Sequence, residues 1–334
     1  MFKRNIMKRL LFASMICLAA CNASTDVFRV DMMPSSTGRS GEVLIVMSDS
    51  HWSSFPGDTL FHWLSQPYPG LPQAEATCNI ARVKPHMFNN MMNKARNIIY
   101  CDIKKGNGPS TFAIEKNRFA SPQIYMKITA EDDSSFLKAF KKTANFMLDT
   151  IVYAECQRYL DRYKQNRNIN AELELSKSLN VQMVVPSVFT LDVNKPGFAW
   201  LSCETQQTSQ GLLVFVYPYE GPKDFDINYM INKTDSVLAR NVPGPAKDSY
   251  MTLEKSLLPY KTELSINGDY VCQLRGLWNV EGDFMGGPFV SRTMVDVSKN
   301  QAVTVFGYVY GGKNGKRDLI WKIESILSSF QIKK

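Results

Sequence analysis

The chain has 334 residues, a formal charge of +8, 44% apolar residues and 11% aromatic residues. That apolar fraction supplies a buried core and excludes a disordered or low-complexity chain, and the length suits one large domain or two ordinary ones. Lys3, Arg4, Lys8 and Arg9 lie in the first 20 positions, which hold no acid, so the other 314 residues carry only +4, too little to indicate a nucleic-acid partner.

The first element is the apolar run at residues 10–20, preceded by the four basic residues. About 20 apolar residues are needed to span a bilayer, so this run is too short and reads as an export signal. It ends in Leu18-Ala19-Ala20-Cys21, which resembles the lipobox of bacterial lipoproteins. The resemblance implies cleavage before Cys21 and lipidation of its thiol and new amine. Several acyl chains exceed the two signals needed for stable anchoring. Asn22 in place of Asp implies sorting to the outer membrane. Residues 22–41 are rich in Ser, Thr, Gly and Pro and read as a flexible tether.

The pattern beyond residue 41 predicts a buried strand at 42–47, a helix at 58–65, a strand at 77–83, a Met- and Asn-rich helix at 86–95 and a strand at 96–103. The run KKGNGPS is a turn, followed by strands at 111–119 and 122–128. Apolar residues then recur at helical spacing from Phe136 to Tyr163, with Glu131, Asp132 and Asp133 at the start, where acids suit a helix N-terminus. A second helix is predicted at 170–179, strands at 181–191, 198–204 and 211–219, and a helix at 224–240. Asn267-Gly268 is a hairpin signal, 301–311 a strand and 316–330 an amphipathic helix. The expected class is α+β: two related sandwich-like halves, 42–170 and 171–334, of mainly antiparallel sheets packed by long helices. The relation rests on a spacing shared by Phe88, Asn93-Lys94 and Cys101 with Phe189, Asn194-Lys195 and Cys203.

Cys78, Cys101, Cys156, Cys203 and Cys272 are widely spaced, with no C-x-x-C. They read as small buried hydrophobes, with a Cys78–Cys101 disulfide open. His51, His62 and His86 show no metal-ligand spacing, and no phosphate loop or nucleophile elbow is present. No cofactor or metal is therefore expected. The candidates for acid, base or nucleophile work are Asp49, His51, Asp58, Glu75 and Asp283. A hydrolase using them would bring two carboxylates together across a cleft. The densest unusual stretch, residues 275–292, places Arg275, Trp278, Asp283, Phe284, Gly286, Gly287, Phe289 and Arg292 together. Aromatics on a Gly-rich loop make it a candidate binding surface.

The runs PSSTGRSGEVLIVMSDSHW at 34–52, LPQAE at 71–75, RNIIYCDI at 96–103 and LRGLWNVEGDFMGGPFVSR at 274–292 resemble an uncharacterised lipoprotein family of Bacteroidetes, a domain of unknown function. The resemblance implies a cell-envelope location facing the periplasm and carries no catalytic residue. The expectation is a lipid-anchored, non-enzymatic binding or structural protein with an envelope-protein or glycan partner. The alternatives are a hydrolase of cell-wall or glycan material and a small-molecule or lipid carrier, the latter needing a cavity between a sheet and the 132–163 helix.

Overall fold

The computed structural model describes residues 33–266, 268–311 and 315–333. The expected export signal, the expected lipidation site Cys21 and residues 22–32 lie outside them. The first half comprises β1 (Glu42–Val46), α1 (Asp49–Trp52), α2 (Phe55–Leu64), β2 (Asn79–Val83), β3 (Asn97–Ile103), β4 (Thr111–Lys116) and β5 (Ile124–Ala130). These strands form one sheet in the order β2-β1-β3-β5-β4. All pairs are parallel except β4 with β5.

The continuous apolar runs of β1, β3 and β5 follow from that arrangement, since an inner parallel strand is covered on both faces. Val43, Ile45, Ile99, Met126 and Ile128 form one buried face with Leu60 and Leu64 of α2. Leu44, Val46, Ile98 and Tyr125 face the other way, under Phe88 and Phe119. Residues 86–95 are not the expected helix: only the 3-10 turns Pro85–Met87 and Met92–Lys94 form. Asn89 is the reason, because its side chain accepts from the N–H groups of Met91 and Met92 and competes with helical pairing.

Residues 34–41 differ from a free tether. Thr37 N–H donates to the Lys94 carbonyl at 2.8 Å, Arg96 N–H to Thr37 and Ser121 N–H to Pro34. The segment is held because its backbone groups find partners along the first sheet.

The expected long helix is α3 (Asp133–Gln165), 33 residues opened by a capping box between Asp132 and Ser135. Its first part buries Phe136, Phe140, Ala144 and Met147 against the first sheet. Its last part sends Val152, Cys156, Tyr159 and Tyr163 into the core of the second half. One element therefore serves two cores.

The second half comprises α4 (Ile169–Leu179), β6 (Val181–Gln182), β7 (Thr190–Lys195), β8 (Phe198–Glu204), β9 (Thr208–Pro218), α5 (Ile227–Asn241), β10 (Tyr250–Leu253), β11 (Tyr260–Ile266), β12 (Asp269–Glu281), β13 (Gly286–Asp296), β14 (Gln301–Gly311), α6 (Lys316–Leu327) and β15 (Gln331–Ile332). Its antiparallel sheet runs β10-β12-β13-β14-β9-β8-β7, with β11 along the rest of the β12 edge. Ile266 opposite Asp269 closes the hairpin that Asn-Gly signalled. The expected strand at 181–191 is split into β6 and the start of β7; Pro186, which lacks an N–H, lies between.

This sheet is covered on both faces. Val214, Val271, Val290 and Val305 pack with α4, α6 and the end of α3. Phe215, Leu274, Phe289 and Phe306 pack with α5. The protein is thus α+β, layered, and antiparallel in most of its pairings. The spacing shared by the halves falls on like elements only in part: Cys101 and Cys203 both lie in strands, β3 and β8, whereas Asn93 and Lys94 lie in a turn region and Asn194 and Lys195 in β7. The strand orders of the two sheets also differ.

Candidate functional site

A cleft of about 970 Å³ opens where α3 passes from one sheet to the other. Asn145, Leu148, Asp149, Val152, Tyr153, Cys156 and Gln157 of α3 line one side, at the three- and four-residue spacing that puts side chains on one helix face. Tyr260, Thr262, Leu264 and Ile266 of β11 line the other side. Tyr153 and Tyr260 are both largely exposed.

Polar groups converge among the remaining lining residues. Glu324 of α6 is buried, and its two carboxylate oxygens accept from the Tyr68 hydroxyl at 3.1 and 2.8 Å. The Arg275 guanidinium donates to the same carboxylate and lies 4.8 Å from the Tyr68 ring centroid. Gly70 lets the loop after α2 come this close: a Cβ there would sit 2.6 Å from Arg275 Cγ, and its φ of +77° is the left-handed region that favours glycine. Burial opposes the charge on Arg275, but the fields of Glu324 and Tyr68 outweigh it and hold Arg275 above its ordinary pKa. Burial, then the Glu324 charge, pushes the Tyr68 hydroxyl well up.

Arg292 of β13 differs. Its Nε donates to Gln273 at 3.1 Å and its Nη1 to the Leu327 carbonyl at 3.0 Å. Among the described residues no carboxylate lies within ion-pair distance of it, and burial lowers its pKa against the field of Glu324. A half-buried guanidinium whose direct partners are neutral favours a nearby anion.

The sequence-predicted residues scatter. Asp49 pairs with Arg82 and Lys84 on the surface, and those two partners hold its carboxyl below the ordinary value. His51 Nδ1 lies 2.6 Å from Asp133 Oδ1 and Nε2 lies 3.2 Å from the Ile103 carbonyl. Both ring nitrogens face acceptors, so neither is placed to take a proton from a nucleophile. Asp58 sits in the first turn of α2. Glu75 accepts from the N–H groups of Lys316 and Arg317 and caps α6. Asp283 bonds the following N–H in the β12–β13 turn.

The stretch 275–292 is a hairpin rather than an open loop, and strand alternation divides it between two faces. Arg275 and Arg292 reach the cleft. Trp278 and Phe289 are buried on the opposite face of the sheet. Gly286 and Gly287 stand opposite Asn279 and Trp278, while Phe284 is fully exposed at the turn. Tyr68 and Glu324 were not singled out from the sequence. The signal available for Glu324 was its place on the apolar face of the last helix, between Ile320 and Leu327.

The five described cysteines are free, with Cys78 and Cys101 buried separately. Among the described residues no group of three His, Cys, Asp or Glu could hold a metal, and no helix is long and apolar enough to cross a membrane.

Residues 36–164 match the family model of a domain of unknown function, DUF8532, and residues 167–329 match that of a second, DUF4837. No curated protein matches the chain. Among solved structures, the crystal structure of the Saccharomyces cerevisiae Ran-binding protein Mog1p is similar at 9% identity and a TM-score of 0.31, covering 46% of this chain and 91% of that one. A Mog1 point mutant gives 11% identity and a TM-score of 0.29, covering 46% and 90%. At those scores the likeness bears on neither fold nor function. Together the two family models, both of domains of unknown function, match nearly all of the described length.

Proposed function

We propose that the mature protein is a non-enzymatic binding protein, held at the cell envelope by lipid on Cys21, whose ligand occupies the cleft between α3 and the second sheet. The observation that carries this reading is Arg292, a half-buried guanidinium that forms no ion pair among the described residues, in a cleft that also has apolar walls, Leu148, Val152, Leu264 and Ile266. The ligand it suits carries an acidic head on an apolar body: the cation receives the head, and the walls cover the body. This gives the carrier role more support than glycan hydrolysis, because Asp49, His51, Glu75 and Asp283 are each engaged with structural partners and none of the five candidates lines the cleft. An envelope location, at the periplasmic face of the outer membrane, follows from the lipobox-like Leu18-Ala19-Ala20-Cys21.

Calorimetric titration of the chain from residue 22 onward, free of the apolar segment and of lipid, with decanoate and with decanol tests the cleft. Decanoate should bind about tenfold or more tightly than the alcohol, as loss of a charge-assisted hydrogen bond predicts, and Arg292→Gln should abolish the difference. Equal affinities, or a preference that survives Arg292→Gln, would overturn the reading. The anchor is tested separately by metabolic labelling with radioactive palmitate. The wild-type protein should take up label, and Cys21→Ser should lose it and accumulate as precursor. Processed, membrane-bound Cys21→Ser would sink the lipid attachment.

A further inference from the structure

A second pocket, of about 310 Å³, lies on the opposite face of the eight-stranded sheet from the cleft, where residues 242–245 after α5 leave the sheet partly uncovered. Its size falls at the lower end of small-molecule sites. Trp200 of β8, Trp278 of β12, and Tyr308 and Tyr310 of β14 line it. The Trp278 and Tyr308 rings stand 5.3 Å apart at 70°, and the Trp278 and Tyr310 rings 6.2 Å apart at 57°. The rings therefore form walls that meet at steep angles rather than a flat stack.

The frame holds these rings in place. Trp278 Nε1 donates to the Val309 carbonyl at 3.2 Å, which fixes the indole by its edge. A Cβ at Gly211 would lie 2.1 to 2.5 Å from Tyr308 ring atoms and hydroxyl, so only glycine on β9 admits that ring. The charge in the lining is of one sign. Glu204 is exposed there, held by the Ser209 hydroxyl at 2.6 Å, and no Lys or Arg is among the described residues that line the pocket. The fields of Glu204 and Asp192 both reach Tyr308.

We infer that this pocket is an aromatic cage for an organic cation, specifically a quaternary or multiply methylated ammonium group. Aromatic faces attract such a cation through their quadrupoles, and burial strengthens the attraction because a methylated ammonium surrenders little hydration. Glu204 adds an opposite charge at the opening, where its partner among the described residues is the neutral Ser209 hydroxyl. An apolar ligand of the same shape gains the burial but neither of these charge terms, which sets the discriminating measurement.

The chain from residue 22 onward is titrated with choline and with its uncharged isostere 3,3-dimethyl-1-butanol, followed by tryptophan fluorescence and calorimetry. Choline should bind saturably and about tenfold more tightly than the isostere. Tyr310→Leu and Glu204→Gln should each remove most of that preference while leaving the melting temperature unchanged, because both residues are exposed. Arg292→Gln, on the other face, should leave choline binding intact, so failure of the cleft reading and failure of this one are told apart. Equal affinity for the two isosteres, no saturable choline binding, or binding of neutral sugars in place of choline would overturn the inference.

Discussion

Glu75, in the segment between α2 and β2, accepts hydrogen bonds from the backbone N–H groups of Lys316 at 2.9 Å and Arg317 at 3.2 Å. A carboxylate from the first half of the chain thus caps a helix in the second, 241 residues away. The helix needs it: its own N-cap position is Gly315, which has no side chain to bond the first free N–H groups. Around the same joint, Arg317 donates to the carbonyls of Ala76, Thr77 and Ser40 and lies 4.7 Å from the Trp321 ring centroid.

Glu75→Ala should therefore destabilise the fold by about 1 kcal/mol, the usual effect of losing a helix cap, with Glu75→Gln closer to wild type. Urea unfolding followed by circular dichroism measures this. A wild-type midpoint for Glu75→Ala would show that the cap contributes nothing.

Glu155 is fully buried and receives Asn97 at 2.8 Å, Arg158 at 2.8 Å and Arg96 at 3.0 Å. Burial, against the pull of Glu155, lowers the Arg158 guanidinium to about 10. Glu155→Ala leaves two guanidinium groups without their counter-charge and should cost about 3–5 kcal/mol. Glu155→Ala combined with Arg158→Met should recover part of the loss. Additive losses in that double-mutant cycle would exclude the coupling.

Burial pushes the Cys78 thiol up to about 12 and the Cys272 thiol up to about 11 from an ordinary value of 9.0. In the folded state these groups keep their protons where the unfolded chain releases them. Their contribution to stability is complete below pH 9 and is lost as pH rises from 9 towards 12. Cys78→Ala and Cys272→Ala should flatten the fall in denaturation midpoint over that window. Iodoacetamide at pH 8 should label Cys78, Cys101 and Cys272 only after unfolding. Rapid alkylation of the native protein at these positions would contradict their burial.

Trp278 is buried against Tyr308 and Tyr310, and Phe289 stacks on Phe306 with ring centroids 4.8 Å apart. Truncating either to Ala should cost about 3–5 kcal/mol. Phe284 is fully exposed at the turn of the same hairpin, and Phe284→Ala should stay within about 0.5 kcal/mol of wild type. Thermal melts of the three variants decide it, and a large loss for Phe284→Ala would mean that the turn packs on something.

The local elements were legible where one physical signal dominated. The 3.6-residue periodicity from Phe136 onward gave α3 to within a few residues of its ends. The apolar runs gave β1, β3 and β9, and Asn267-Gly268 gave the β11–β12 hairpin. The sequence reading failed where side chains compete with backbone pairing, as Asn89 does, or where a proline interrupts an apolar run, as Pro186 does.

The chain by itself determined which residues are apolar and with what period. It could not determine which strand partners which, because pairing is settled by long-range contacts with no local trace. That is why β1 lies between β2 and β3 in a parallel sheet, and why the residues of one conspicuous stretch face two ways. Arg275 and Arg292 point to α3 and α6, while Trp278 and Phe289 point to α5. Tyr68 and Glu324, 256 positions apart, meet only because Gly70 lets a loop approach a strand and α6 packs under both. Burial then gives those groups their chemistry, since the same carboxylate and guanidinium in water would not order one another.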